Sequence, residues 1–175
     1  MRGISSVSLG LFDFDKLMWL NHQHIQNATV DRLYPLVKSI LTTQLNIDEN
    51  MLKTVDLKKI IGCSKIKERA KNIHDLAKEC SYFYQPSDIN NLQLDKSLII
   101  KFVNFYNNVL NQSNWNLNNI ESMFKQFCKN EQIKMKDIAM PLRKILCGNS
   151  QLSIYHILDI LGYDEAWKRL VDVTK

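Results

Sequence analysis

The chain has 175 residues, of which 45% are hydrophobic and 23% charged, and its formal net charge is +5. This composition is ordinary for a globular protein, and the length allows a sizeable core in one domain or two small ones. No apolar run approaches the roughly 20 residues that cross a bilayer, and the N-terminus lacks the apolar core of a signal peptide, so we expect a cytoplasmic protein that does not associate with membranes.

The first half of the chain has the periodicity of amphipathic helices. Asp13 and Thr29 are caps at the starts of the first two predicted helices, and residues 48–61 form the third. A longer fourth helix is predicted over residues 64–80, beginning at a serine cap. The sequence Gln-Pro-Ser at 85–87 breaks this pattern, and we place the boundary between two helical lobes there.

The second half repeats the helical pattern. Apolar residues recur at helical spacing in five segments, residues 98–110, 120–127, 133–146, 154–161 and 164–170. Gly148 ends the third of these segments and Gly162 ends the fourth, since glycine readily adopts the backbone conformation that closes a helix. Alternating apolar and polar residues, the pattern of strands, are rare. The sequence therefore predicts an all-α fold, a helical bundle of about eight or nine helices in two lobes, 12–85 and 86–175.

No catalytic or metal-binding motif is present in the sequence. The cysteines form no CxxC pair and have apolar neighbours, which favours reduced, buried thiols at all four positions, Cys63, Cys80, Cys128 and Cys147. His22 and His24 are two residues apart and point to different helix faces, so they do not chelate a metal. His74 and His156 are each isolated on a helix and are interpreted as surface or capped histidines rather than catalytic ones. Glycine-rich phosphate loops and nucleophile elbows are absent, and the chemistry alone predicts a binding module.

The excess positive charge is confined to two stretches of the chain. Residues 53–79 carry eight lysines and arginines against four acids, and residues 129–148 carry five against two. Two basic stretches on an otherwise near-neutral protein suggest contact with a polyanion. Solvated helix faces explain the same pattern, and the charge alone leaves both interpretations open.

Three blocks of sequence carry a family resemblance. They are VSLGLFDFDKLMWLN at 7–21, KERAKNIHDLAKECSYFY at 67–84, and KMKDIAMPLRKILCG at 134–148 followed by YHILDILG at 155–162. In the same order, the C-terminal helical region of bacterial glutamyl-tRNA synthetases has VS…FDxxKLxWMN, (K/R)xRxxTLxELAxxxxYFF and KxGxxxxPLRxALTG…PGxFExLxxLG. The chain thus resembles the anticodon-binding region of that family along almost its whole length.

The resemblance implies that the chain binds the anticodon loop of tRNA-Glu, with residues 1–11 as the junction to a catalytic domain. In the family, that domain binds ATP and Mg²⁺ and carries HIGH-like and KMSKS-like signatures, neither of which occurs here. We therefore expect a chain that needs no cofactor and is not catalytic alone. Its expected partners are tRNA-Glu and the catalytic domain of the same glutamate–tRNA ligase. We expect the protein to be a monomer.

The resemblance also implies which residues contact the anticodon. Arg69 matches the position that reads the third anticodon base, a cytosine, and hints at discrimination between tRNA-Glu and tRNA-Gln. Arg143 matches the arginine of the family's PLR motif. Gln151, Leu152 and Ile154 occupy the places of the anticodon-binding loop, although Leu152 and the following serine replace the family's Pro-Gly. Contacts with the phosphate backbone are expected from four lysines on the basic stretches, Lys65, Lys67, Lys71 and Lys144.

Two alternatives do not involve an anticodon. The first is a helical protein-interaction module with no nucleic-acid role, since grooves between amphipathic helices bind partner helices. The second is a helical protein that binds other RNA or DNA. The protein-interaction module predicts partner binding that is insensitive to salt. The other nucleic-acid-binding protein predicts binding to polyanions without preference for the Glu anticodon.

Overall fold

The computed structural model describes residues 13–85, 95–109 and 111–174, and within these ranges the chain is helical and has no strand. The predicted all-α class is confirmed. The predicted junction over residues 1–11 lies outside the described residues, and the division into two lobes stays a prediction. The described part contains ten α-helices: α1 (Phe14–Asn27), α2 (Val30–Thr43), α3 (Glu49–Leu52), α4 (Leu57–Gly62), α5 (Ser64–Lys67), α6 (Ile73–Ser81), α7 (Lys96–Val109), α8 (Leu117–Asn130), α9 (Met135–Cys147) and α10 (Ile154–Thr174).

The predicted caps of the first two helices are confirmed. The Asp13 carboxylate accepts a hydrogen bond from the Lys16 main-chain N–H at 3.0 Å, and the Thr29 hydroxyl accepts one from the Arg32 N–H at 3.4 Å. Each side chain satisfies one of the N–H groups that have no partner in the first turn of a helix. The starts of α1 and α2 are thus set by local sequence.

Two predicted helices are each divided in the structure. The segment 48–61 forms α3 and α4, because the Asp56 side chain caps a new helix by accepting from the Lys58 N–H. The segment 64–80 forms α5 and α6, because the Asn72 side chain accepts from the Asp75 N–H. Asp and Asn compete with the helical hydrogen-bond pattern in this way. As a consequence, Arg69 lies on the turn between α5 and α6 rather than within a helix.

Both glycine stops predicted in the second half are confirmed. Gly148 follows α9 with φ 51°, and Gly162 has φ 77° and ψ 170° and kinks α10. Positive φ is readily adopted by glycine and strained for residues with a side chain. The stop at Gly148 turns the chain into residues 149–153, the loop between α9 and α10.

Helices of the first half pack on one another, helices of the second half do the same, and Arg169 connects the two halves. Helix α2 packs on α4 and α6, and α10 packs on α7, α8 and α9. Arg169 of α10 is mostly buried and pairs with Glu165 at 2.7 Å, while its other nitrogens donate to the carbonyls of Leu146 at 2.6 Å and Phe83 at 2.8 Å. One side chain thus connects the end of α6, the end of α9 and α10.

All four cysteines are free thiols. Cys80 and Cys147 are buried, as predicted, and burial raises the pKa of the Cys147 thiol to about 12. Cys63 and Cys128 are only half-buried.

Candidate nucleic-acid interface

A cavity of about 440 Å³ lies where the α5–α6 turn, α9 and the loop 149–153 meet. We call it the central cavity. Its walls come from both basic stretches and from the loop. The lining residues are Lys65, Glu68, Arg69, Arg143, Gln151, Leu152, Ser153 and His156. The fold therefore brings together the two arginines and two of the loop residues that the sequence singled out.

Arg69 is exposed at the edge of the central cavity. Its Nη2 donates a hydrogen bond to the main-chain oxygen of Gln151 at 3.0 Å, across 82 residues of sequence. A guanidinium has five N–H donors, so this contact leaves further donors for a ligand. The orientation of Arg69 is thereby fixed by the loop 149–153.

Glu79 interacts electrostatically with Arg69. Burial raises the pKa of the Glu79 carboxyl, and the Arg69 guanidinium opposes that shift only in part. Its Oε2 is buried and has no hydrogen-bond partner among the described residues. A half-buried carboxyl group therefore lies within the electrostatic range of the arginine expected to read a base.

Arg143 is half-buried on α9 and lines the same cavity. Its Nε is buried, and no described residue accepts a hydrogen bond from it. A buried N–H without an acceptor costs about 1–3 kcal/mol. An acceptor that enters the central cavity can remove this cost, which makes Arg143 a strong donor for a polar ligand.

Two of the three predicted loop residues are buried. Leu152 and Ile154 are only 2% and 3% exposed, and Ile154 does not line the cavity. The Leu152 N–H donates to the Ser150 hydroxyl at 3.3 Å. Gln151 is exposed, and its main-chain oxygen accepts the hydrogen bond from Arg69. The two apolar residues hold the loop in the core, and the polar contacts of the site come from Gln151 and the arginines.

Two of the four predicted lysines already have partners in the protein. Lys65 lines the central cavity and pairs with Glu68 at 2.9 Å. Lys67 is half-buried and donates from Nζ to the Ala28 carbonyl at 2.8 Å, at the C-terminal end of α1. The ammonium of Lys67 is therefore used to cap α1, which the sequence pattern did not predict.

The other two lysines lie outside the central cavity. Lys71 is exposed and lines a neighbouring cavity. Lys144 is exposed in the last turn of α9. Both ammonium groups are accessible to a phosphate backbone that passes the site.

A second cavity, of about 360 Å³, lies on the other side of Arg69. We call it the Trp19 cavity, because Trp19 of α1 lines it and is 59% exposed. It shares Glu68 and Arg69 with the central cavity and also includes Lys71. Trp19 was not among the residues singled out from the sequence, although it lies in the first block of the resemblance.

His156 extends the surface in the opposite direction. It lines the central cavity and also a third cavity, which includes Lys59 and Asp159. Its Nδ1 lies 2.7 Å from the Ser153 hydroxyl, and Lys59 donates to the Asp159 carbonyl. His156 is a half-exposed histidine held by Ser153, and it lines both the central cavity and the third cavity.

The described residues contain no group of three or more His, Cys, Asp or Glu side chains arranged to bind a metal ion. None of their helices is long and apolar enough to span a bilayer.

Comparisons with known proteins identify the family of this chain. Residues 27–173 match the family described as the anticodon binding domain. The glutamate–tRNA ligase of Neisseria meningitidis is 31% identical over 170 residues, covering 94% of this chain and 36% of that protein. That of Chromobacterium violaceum is 30% identical over 171 residues, with the same coverage of 94% and 36%. The chain therefore spans about a third of the length of the curated relatives it matches.

A solved structure shares the fold. The crystal structure of a glutamate tRNA ligase from Elizabethkingia meningosepticum superposes with a TM-score of 0.65, at 18% identity, over 93% of this chain and 32% of that one. The alternative of a protein-interaction module without a nucleic-acid role has no support in these matches.

Proposed function

Because this chain belongs to the anticodon-binding domain family, we propose that it binds the anticodon loop of tRNA-Glu in the central cavity. The observation that carries the proposal is that Arg69 and Arg143, from separate basic stretches, line one cavity together with Gln151. Unstacked bases of a tRNA loop expose their Watson–Crick edges, and proteins read such edges with arginine and stacking side chains.

Arg69 is suited to the third anticodon base. Its contact with the Gln151 carbonyl fixes the guanidinium plane while leaving donors for the O2 and N3 acceptors of a cytosine. A guanine in that place presents donors and is repelled. We infer that this contact separates tRNA-Glu from tRNA-Gln, which differ at that base.

Arg143 supplies a second donor set to the same loop. Its buried Nε gains an acceptor when a base or a sugar enters the cavity, and the accompanying gain in free energy favours the complex. Lys65, Lys71 and Lys144 add attraction to phosphates that does not depend on base sequence.

We further propose that the chain acts as the tRNA-reading part of a glutamate–tRNA ligase. Two observations support this: the relatives that the chain matches are glutamate–tRNA ligases, and the chain covers about a third of their length. We propose that ATP and Mg²⁺ are bound by the catalytic part of such an enzyme. A tRNA partner implies that the protein acts in the cytoplasm, and we propose that it is a monomer.

The test is binding to transcripts of tRNA-Glu and tRNA-Gln, each also prepared with its third anticodon base exchanged, over a series of salt concentrations. We expect affinity to follow the cytosine rather than the rest of the tRNA, and to fall as salt rises. Equal, salt-dependent affinity for all four transcripts contradicts anticodon reading and leaves a general RNA-binding protein. Absence of binding at low salt contradicts a tRNA role for this chain.

A further inference from the structure

We propose that Trp19, Arg69 and Lys71 form a second nucleotide subsite, in which the base that follows the third anticodon base stacks on the Trp19 indole. The proposal rests on the proposed function, since it takes the third base to lie at Arg69. Proteins hold unpaired bases on exposed aromatic side chains next to cationic groups.

The Trp19 cavity has the size and lining of such a site. Its volume of about 360 Å³ falls within the usual range for small-ligand pockets, about 300–1,000 Å³. Trp19 is 59% exposed, and Arg69 and Lys71 line the same cavity. An aromatic face beside two cations suits a nucleotide, which has a flat base and a negative phosphate.

The orientation of α1 directs Trp19 towards these cations. Successive residues of a helix are about 100° apart, so Asp15 and His22, at i−4 and i+3, share the flank of Trp19. Both of them line the Trp19 cavity, whereas the exposed Leu17 and Leu20 lie on other flanks and do not line it. Trp19 thus faces the cavity, whereas Leu17 and Leu20 are exposed on other flanks of α1.

Two hydrogen bonds hold α1 in place against α5 and the turn that follows. The His22 Nδ1 lies 2.7 Å from the Ala70 carbonyl, which can only accept, so this nitrogen is the donor. Lys67 donates to the Ala28 carbonyl near the other end of α1. Trp19 lies one helical turn before His22, and its position relative to Arg69 is therefore set before any ligand binds.

The shared wall gives the order of the bases. Arg69 lines both cavities, while Arg143 and Gln151 line only the central one. With the third anticodon base at Arg69, the first two bases lie towards Arg143. The next nucleotide of the strand then passes Arg69 and enters the Trp19 cavity, where Lys71 is placed for its phosphate.

The test uses the full chain and the anticodon stem-loop of tRNA-Glu, with the fluorescent base 2-aminopurine in place of the nucleotide that follows the third anticodon base. We expect binding to quench this fluorescence, because the base stacks on an indole. Trp19→Ala should abolish the quenching that binding causes and weaken affinity for the stem-loop about tenfold or more. Trp19→Phe should keep most of the quenching and most of the affinity. The control is Leu20→Ala, which removes an exposed apolar residue from another flank of α1.

The outcomes separate the subsite from the proposed function. Unchanged affinity and quenching in Trp19→Ala overturn the subsite, and so does an equal loss in Leu20→Ala, which would assign the effect to α1 as a whole. If Arg69→Ala and Arg143→Ala lose binding, the proposal that the chain binds the anticodon loop stands, whether the subsite is supported or overturned. If the unmodified chain does not bind the stem-loop at low salt, the proposed function fails and the subsite fails with it.

Discussion

Arg69 donates from Nη2 to the main-chain oxygen of Gln151 at 3.0 Å, and this bond joins the basic stretch 53–79 to the loop 149–153, which lines the central cavity. A ligand therefore meets an arginine that is already oriented, and less side-chain freedom is lost on binding. The loop 149–153 and Arg69 work as one unit, so a change in either is expected to alter base reading.

Arg69→Ala should weaken binding of tRNA-Glu and reduce its margin over tRNA-Gln. We expect the discrimination to fall by about 1–3 kcal/mol, on the scale of a bidentate contact between arginine and a base. The measurement is the dissociation constant for each transcript at fixed salt. Arg32→Ala is the matched control, because Arg32 is exposed and lines a different cavity, next to Asn21. Equal losses in the two variants would show that only net charge matters.

Lys67 and Lys71 should respond differently to replacement by alanine, although they lie four residues apart. Lys71→Ala should weaken all tRNAs alike and flatten the salt dependence, since Lys71 is exposed and free to contact a phosphate. Lys67→Ala should lower the free energy of unfolding by about 0.5–1.5 kcal/mol, because the Ala28 carbonyl loses its donor.

Urea unfolding and salt-dependent binding, measured on both variants, test this contrast. A loss of stability in Lys71→Ala, with none in Lys67→Ala, would contradict the assignment of Lys67 to the end of α1.

Much of the fold could be predicted from the sequence because its signals are local. The caps at Asp13 and Thr29 and the stops at Gly148 and Gly162 depend on one residue and its near neighbours. The prediction of one continuous helix over 64–80 was wrong. The apolar period continues past Asn72, but the Asn72 side chain caps a new helix there. Periodicity reports which face is buried and does not detect a change of axis.

The site could be predicted only where a motif marked it. Arg69 and Arg143 were recognised from the blocks that contain them, and the fold brings both to one cavity. Trp19 and Lys67 also lie in such blocks, but their contacts depend on how α1 docks against α5. That docking rests on contacts such as the one between His22 and Ala70, which are 48 residues apart. Contacts at this separation leave no periodic signal in the sequence.

Glu79 should make the stability of the protein depend on pH. Burial raises the pKa of its carboxyl in the folded state. The folded protein therefore binds this proton more tightly than the unfolded chain, and the associated stability is present in acid and lost as pH rises through the raised pKa. Glu79→Gln should accordingly gain stability relative to the unmodified protein between the ordinary carboxyl range and neutral pH.

The check is a series of urea titrations from acid to neutral pH on the two proteins. Glu68→Gln is the control for loss of one negative charge, since Glu68 is an exposed carboxylate paired with Lys65. A difference between Glu79→Gln and the unmodified protein that does not change with pH would contradict the role of burial.

Arg169 should be important for both stability and binding, although it does not line the central cavity. It is 11% exposed and holds Glu165 and the carbonyls of Leu146 and Phe83. Arg169→Met leaves a mostly buried carboxylate and two carbonyls without their donor, and we expect a loss of about 3–5 kcal/mol in the free energy of unfolding. The ammonium of Arg169→Lys is a compact point charge that cannot reproduce the planar fork, so it should restore only part of this loss.

The double variant Arg169→Met, Glu165→Gln separates the buried charge from the two carbonyl contacts. We expect it to recover stability relative to Arg169→Met alone, because no unpaired carboxylate remains. Its tRNA affinity should stay low, since Leu146 is two residues before Gly148, where the loop that positions Gln151 against Arg69 begins. Full recovery of affinity together with stability would show that the loop keeps its place without Arg169, and that the arginine serves the core alone.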